Sequence, residues 1–192
     1  ETFKNLGGEV SEELYKTMTG SSTINAFQKL VNHFNLDDIP EELVLQKRKC
    51  YVNYFENDPT LSLVHGVKEL IQFLYKQNLT LVLASSSAMV NINRVFSRFD
   101  LNQYFTAKIS GADLTASKPH PEIFEKAAIL GGVSKELCIV IEDSDNGIKA
   151  ANDAGIFVVG YENPLVSDQT LKDANLIIRD YNILKKYMID LK

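Results

Sequence analysis

Three short groups of residues could do chemistry together: Ser85-Ser86-Ser87 after an apolar run, Lys118-Pro119, and Glu142-Asp143 after a second apolar run. Hydroxyls and helix-start amides are neutral donors for phosphate oxygens. A lysine ammonium on a proline-stiffened loop can neutralise the same charge. Adjacent carboxylates suit a hard cation such as Mg2+, which takes oxygen ligands and keeps several waters. In that order the groups describe a phosphate site beside a metal. Each also has a plainer role: the serines would cap the next helix, Lys118 would be a solvated residue at a helix start, and Glu142-Asp143 would serve a helix dipole. The apolar strand running straight into Glu142-Asp143 favours the site there, because acidic pairs at such strand ends are unusual without a cation or ligand. His120, between Pro119 and Pro121, is read as loop packing or surface.

The elements that must hold these groups alternate along the second part of the chain. Val67, Leu70, Ile71 and Leu74 share a helix face, and residues 79–84 form a continuous apolar run. Helices are expected over 88–99, 121–130 and 144–154, the last closed by Gly155. Strands are expected over 106–110, 137–141, 156–159 and 176–178. Continuous apolar strands separated by amphipathic helices predict a parallel sheet covered on both faces. Ligands bind beyond the carboxyl ends of such strands, where all three groups fall.

Residues 1–60 carry helical signals only. These are a tail ended by Gly7-Gly8, Ser11 capping a helix that begins Glu12-Glu13, and an apolar stripe at Ile24, Phe27, Val31 and Phe34. Pro40-Glu41-Glu42 opens a further helix that stops at 57–59. The expected fold class is α/β, with an all-helical lobe at 1–60 ahead of an α/β part at 61–192.

Of the 192 residues, 45% are apolar and 23% charged, enough for a real core and against general disorder. A net charge of −5, with no basic run longer than Lys47-Arg48-Lys49, argues against a nucleic-acid surface. Cys50 and Cys138 lie far apart and suggest no disulfide framework, so a reducing, cytoplasmic setting is expected. Cys138 is read as a buried small hydrophobe inside its strand. No apolar stretch approaches the roughly 18 residues of a membrane span.

Taken jointly, Ser85, Lys118-Pro119 and Glu142-Asp143-Ser144-x-x-Gly147-Ile148 resemble motifs two, three and four of the haloacid dehalogenase superfamily. Ser117 to Phe124 and Gly147 to Gly155 look most like its β-phosphoglucomutase-like branch, and the likeness covers essentially the whole chain. The resemblance implies a Rossmann-like parallel-sheet core with a small helical cap, Mg2+ as cofactor and a small phosphorylated metabolite as partner, without nucleic acid or membrane. It implies that Ser85 and the amide of Ser86 hold the transferring phosphoryl group and that Lys118 neutralises it. Asp143 would ligate Mg2+, with Glu142 in support. The implied reaction is attack of an aspartate on a phosphate ester, then hydrolysis or transfer of the aspartyl-phosphate.

The pattern departs from the family in two places. Motif one, Asp-x-Asp followed by Gly and Thr or Val, is absent. By the resemblance it lies on a central strand between those ending at Ala84 and Ile141. Neighbouring strands lie about 4.8 Å apart, so its loss would leave twice that gap with unpaired amides on both sides. The nucleophile is therefore expected upstream of Glu1. The second departure concerns substrate. In the mutase a Gly-x-Ser-Arg segment supplies an arginine for the sugar's second phosphate, and the corresponding stretch here is Thr19-Gly20-Ser21-Ser22-Thr23, with threonine at that place. A hydroxyl cannot replace bidentate guanidinium recognition. Lys49 resembles another cap cation for substrate, and its plain reading is a solvated helix face. His65-Gly66, by the cap hinge, is read as structural. Phosphomonoester hydrolysis is expected ahead of a phosphosugar mutase, and a non-catalytic phosphate-binding relative is the reading from another class.

Overall fold

The computed structural model describes residues 11, 13–14, 23–164, 166 and 169–190. The readings for the tail at 1–8, for Glu12 and for the stretch 19–22 lie outside these. Residues 1–62 and 63–192 form two compact units.

In the first unit, α1 (Thr23–Phe34) packs on α2 (Pro40–Asn57). Ser11 accepts the Leu14 amide at 3.2 Å, the spacing of an N-cap. Phe27, Leu30 and Leu43 are buried together, with Val31 and Phe34 beside them. The expected stripe is rotated by this packing: Leu30 enters the core and Ile24 stays exposed. Leu30 follows Phe27 at i+3 and so shares its face. Pro40 needs no amide partner in the first turn of α2, and Glu41 and Glu42 complement the dipole there. Past its end, Asp58 accepts the amide and hydroxyl of Thr60.

The second unit is α/β. Its order is α3 (Val67–Lys76), β1 (Val82–Ser85), α4 (Met89–Arg98), β2 (Ala107–Ser110), α5 (Glu122–Gly131), β3 (Ile139–Glu142), α6 (Asp145–Asp153), β4 (Phe157–Tyr161), β5 (Leu176–Ile178) and α7 (Tyr181–Asp190). Every strand pairing is parallel, with Ser85 opposite Ser110 and Glu142 opposite Gly160. The alternation of apolar runs and amphipathic helices thus produces the fold class it predicts. Strands begin two or three residues inside the apolar runs, since 79–81 only lead into β1 and Lys135–Leu137 is a single helical turn before β3. Helix α7 lies beyond the expected elements, and its Tyr181 and Leu184 are buried with Leu70, Leu74, Val159 and Ile178.

Two expectations need correction. The strands form two sheets, β1-β2 and β3-β4-β5, with β1 and β3 unpaired to each other. Nor is β3 covered on both faces. Val140 is buried with Ile148, Ala151 and Val158 against α5 and α6, whereas Ile139 and Ile141 are 44% and 37% exposed and Leu137 is 77% exposed. Side chains alternate between the two faces of a strand, and α5 and α6 cover the face of Val140, which leaves Ile139 and Ile141 on the open one. Cys138, expected to be buried, is only half-buried on the Val140 face beside that cluster, its thiol donating to the Ser134 carbonyl at 3.4 Å. Among the described residues no helix is long and apolar enough to cross a membrane.

Candidate active site

The turn after β1 is not a helix cap. Ser85 Oγ accepts the Ser87 amide at 3.2 Å, and the residue at the N-cap position of α4 is Ala88, which makes no side-chain cap. Ser86 and Ser87 are exposed. The turn is supported from β2, where Gly111 follows Ser110. A Cβ at Gly111 would lie 3.2 Å from Ser86 Cα and 3.3 Å from Ser85 O, so the close approach of the two strand ends favours glycine. Ser110 is buried in register with Ser85, and its hydroxyl has no hydrogen-bond partner.

Lys118 sits on a loop fastened to the start of α5. The Glu122 carboxylate pairs with Lys126 at 2.6 Å and accepts the Ala116 amide at 3.0 Å and the Thr115 hydroxyl at 3.1 Å. Lys126 and that amide hold Glu122 down at about 2. From this anchored loop Lys118 Nζ donates to the Ala84 carbonyl at 3.4 Å, lies 4.8 Å from the centre of the Phe124 ring and pairs with Glu142.

Glu142 ends β3 with both oxygens engaged. Oε1 meets Lys118, and Oε2 accepts the Asp143 amide at 2.8 Å, the Ser144 amide at 2.9 Å and the Ser144 hydroxyl at 3.0 Å. Burial alone would raise this carboxyl, but Lys118 and the Ser144 donors hold it below its ordinary value. Ser144 also caps α6 by accepting the Gly147 amide at 3.1 Å. Gly147 is glycine because a methyl group there would overlap the Glu142 carboxylate. Asp143 has the opposite environment. It is open to solvent, pairs with no cation among the described residues, and is pushed up by partial desolvation and by the neighbouring Glu142 charge.

The carboxyl ends of β1 and β3 border one cavity of about 370 Å3. Ser85, Ser86, Lys118, Glu142, Asp143 and Ser144 line one part of it. Leu83, Ala84 and Ile141 of the two strand ends also line it, as do Val64, Tyr161, Asn163 and Tyr181, four residues not singled out from the sequence. Tyr161 ends an apolar strand, so the strand-end rule that located Ser85 and Glu142 could have found it. Tyr181 opens helix α7. The two rings stack with centroids 4.4 Å apart at 11°. Burial, Tyr161 and the Asp143 charge push the Tyr181 phenol well up. Lys49 lies exposed on α2 of the first unit, and the cavity is formed by the second unit.

The cavity therefore offers hydroxyl and amide donors, a cation held by a buried carboxylate, and a carboxylate without a cation. Among the described residues no third acid, imidazole or thiol joins Glu142 and Asp143 as a ligand cluster. Mg2+ is held by one or two carboxylates with waters and substrate phosphate completing its shell. The under-compensated Asp143 fits that demand, and Glu142, its oxygens already taken, fits it only in support.

The family model described as haloacid dehalogenase-like hydrolase matches residues 1–161. Hexitol phosphatase B of Escherichia coli (strain K12) is 36% identical over 97 residues, which is 50% of this chain and 44% of that protein. Beta-phosphoglucomutase of Bacillus subtilis (strain 168) is 32% identical over 139 residues, 72% of this chain and 59% of that protein. The chain spans about half the length of these curated relatives. A crystal structure of beta-phosphoglucomutase from Clostridium difficile matches with a TM-score of 0.77 at 25% identity, covering 98% of this chain and 84% of that one.

Proposed function

The chain belongs to the haloacid dehalogenase-like hydrolases, and on that premise we propose that it carries the phosphate and metal side of a Mg2+-dependent phosphomonoester hydrolase. The substrate class is a small phosphorylated metabolite, a sugar phosphate. The observation that carries this reading is the convergence of Ser85, Lys118 and Asp143 on one cavity at the carboxyl ends of parallel strands.

In this reading Ser85 Oγ and the Ser86 amide donate to phosphoryl oxygens, and Lys118 neutralises the charge that builds on them during transfer. Glu142 keeps Lys118 oriented and its charge compensated until phosphate arrives. Asp143, supported by Glu142, would hold Mg2+, which when bound supplies positive charge to the phosphoryl group. The nucleophile is an aspartate outside these 192 residues; its attack on phosphorus breaks the ester bond and releases the alcohol, and water then splits the aspartyl-phosphate into inorganic phosphate and the free carboxylate. Among the described residues β1 and β3 each have one unpaired edge, and its main-chain groups favour a further strand beside them. The free cysteines suit a reducing, cytoplasmic setting.

The likeness to beta-phosphoglucomutases supports a second reading, phosphosugar isomerisation. Threonine at position 23 in place of an arginine weighs against it, because a second phosphate would lose its bidentate partner. The deciding experiment incubates the full-length protein with a panel of sugar phosphates, with and without Mg2+. Mg2+-dependent release of inorganic phosphate is expected. Formation of glucose 6-phosphate from β-glucose 1-phosphate without such release would replace hydrolase by mutase, and neither activity would leave a phosphate-binding protein.

A further inference from the structure

The main-chain carbonyl of Asp143 occupies an awkward place. It lies one residue past the last β3–β4 ladder pair, Glu142 with Gly160, and before the first hydrogen bond of α6, from the Ile148 amide to the Ser144 carbonyl. Neither sheet nor helix supplies it with a donor, and a main-chain polar group in that position needs one. Gln169 supplies it. Its Nε2 donates to the Asp143 carbonyl, with the Tyr161 carbonyl a second acceptor at 3.5 Å, and its Oε1 accepts the Asn163 amide at 2.8 Å. Tyr161 and Asn163 line the cavity with Asp143, so one neutral amide ties three of its wall residues together.

The residues that follow fix where Gln169 stands. Thr170 Oγ1 and the Leu171 amide donate to Asp145 Oδ1 at 3.0 Å and 2.8 Å. Leu171 is buried in the core at a φ of +47°, a backbone conformation that leucine adopts only when its surroundings impose it. Asp145 thereby spends a carboxylate oxygen on this loop, which separates its role from that of Asp143.

We propose that Gln169 is a positioning residue for Asp143, an inference that rests on the metal-bearing role proposed above for that carboxylate. By fixing the peptide that follows Asp143, Gln169 narrows the directions the carboxylate can take. Because the amide is uncharged, it does so without competing for the carboxylate or for a cation. Residues that orient a metal ligand typically change metal affinity by about 10–100-fold when removed.

The test is Mg2+ binding by titration calorimetry on the full-length protein, comparing wild type with Gln169→Met and Gln169→Ala. Methionine keeps an unbranched side chain of similar length and lacks the donor. About tenfold weaker Mg2+ binding is expected in Gln169→Met. A smaller loss is expected in Gln169→Ala, where a water can reach the Asp143 carbonyl. Thr170→Val, which removes the hydroxyl's bond to Asp145 and keeps that of the Leu171 amide, should lower the thermal midpoint and leave Mg2+ affinity within about twofold, far below the loss expected from removing an orienting residue. Unchanged Mg2+ affinity in the Gln169 variants overturns the inference and leaves the metal reading standing. An equal loss in Thr170→Val also overturns it, since the loop would then act only as structure. Failure of the wild type to bind Mg2+ overturns both. If Gln169→Met does not fold, Gln169→Ala decides.

Discussion

The Lys118 ammonium and the Glu142 carboxylate, 24 residues apart in the chain, form an ion pair in which each side chain is 9% exposed. The resemblance seen in the sequence leads to an expectation of different tasks for them, one at phosphate and the other at the metal. In the fold they hold each other. An anion entering the cavity therefore does not meet a free cation but competes with a carboxylate that already has three further donors on its other oxygen. If Lys118 turned to an anion, as proposed, Glu142 would remain hydrogen-bonded through Oε2.

Lys118→Ala should damage both stability and turnover. It leaves a largely buried carboxylate without its cation, which costs about 3 kcal/mol in folding, and removes charge compensation worth about 3 kcal/mol in the transition state. Denaturant unfolding and phosphatase kinetics of the full-length protein measure the two separately. A turnover loss under about tenfold would count against contact with the transferring group.

Gly147→Ala reverses an ordinary expectation. In a helix interior, alanine is usually about 1 kcal/mol more favourable than glycine. Here its methyl group meets the Glu142 carboxylate, so Glu142 must swing away from Lys118 and the Ser144 amide. A net destabilisation of about 1–3 kcal/mol is expected, together with loss of activity. Stabilisation on unfolding by denaturant would show that Glu142 has another position open to it.

What was legible in the sequence divides along contact distance. The strand ends carrying Ser85 and Glu142 were readable because apolar runs have one direction and ligands gather at their carboxyl ends. The Lys118 loop was readable from two prolines and a helix start. The same signals did not reveal that Lys118 and Glu142 pair, since their separation is bridged only by the fold. Gln169 lies 26 residues from the aspartate whose carbonyl it holds, in a polar stretch with no periodic pattern. Helix α7 was legible and went unassigned, since Tyr181, Leu184 and Met188 recur at i, i+3 and i+7 along one face. The exposure of Ile139 and Ile141 follows from which face of β3 the helices cover, and a continuous apolar run cannot state that.

Asp143→Asn should separate function from stability. Without a metal the Asp143 charge is disfavoured by desolvation and by Glu142, so the neutral amide relieves the folded state. Solvent in the cavity screens much of this, and a rise of up to about 2 °C in the metal-free midpoint is expected. Mg2+-dependent turnover should fall roughly 100-fold or more. Near wild-type rates would remove Asp143 from the metal.

The pH dependence of metal-free stability should carry the opposite signs of these two carboxylates. Glu142 is depressed in the folded state, so its contribution is complete above the ordinary carboxylate range and is lost as pH falls through its folded value. Asp143 is raised, so its ionisation penalises the folded state increasingly as pH climbs from the ordinary aspartate range through its folded value. Mg2+ requires the ionised form, and its affinity should rise across that same upper window and then level off. Thermal midpoints of the full-length protein between about pH 4 and 8, with and without Mg2+, give the difference directly. The Mg2+-induced gain should grow with pH in wild type and be flat in Asp143→Asn. A gain independent of pH in wild type would mean that some other group, already ionised throughout, holds the cation.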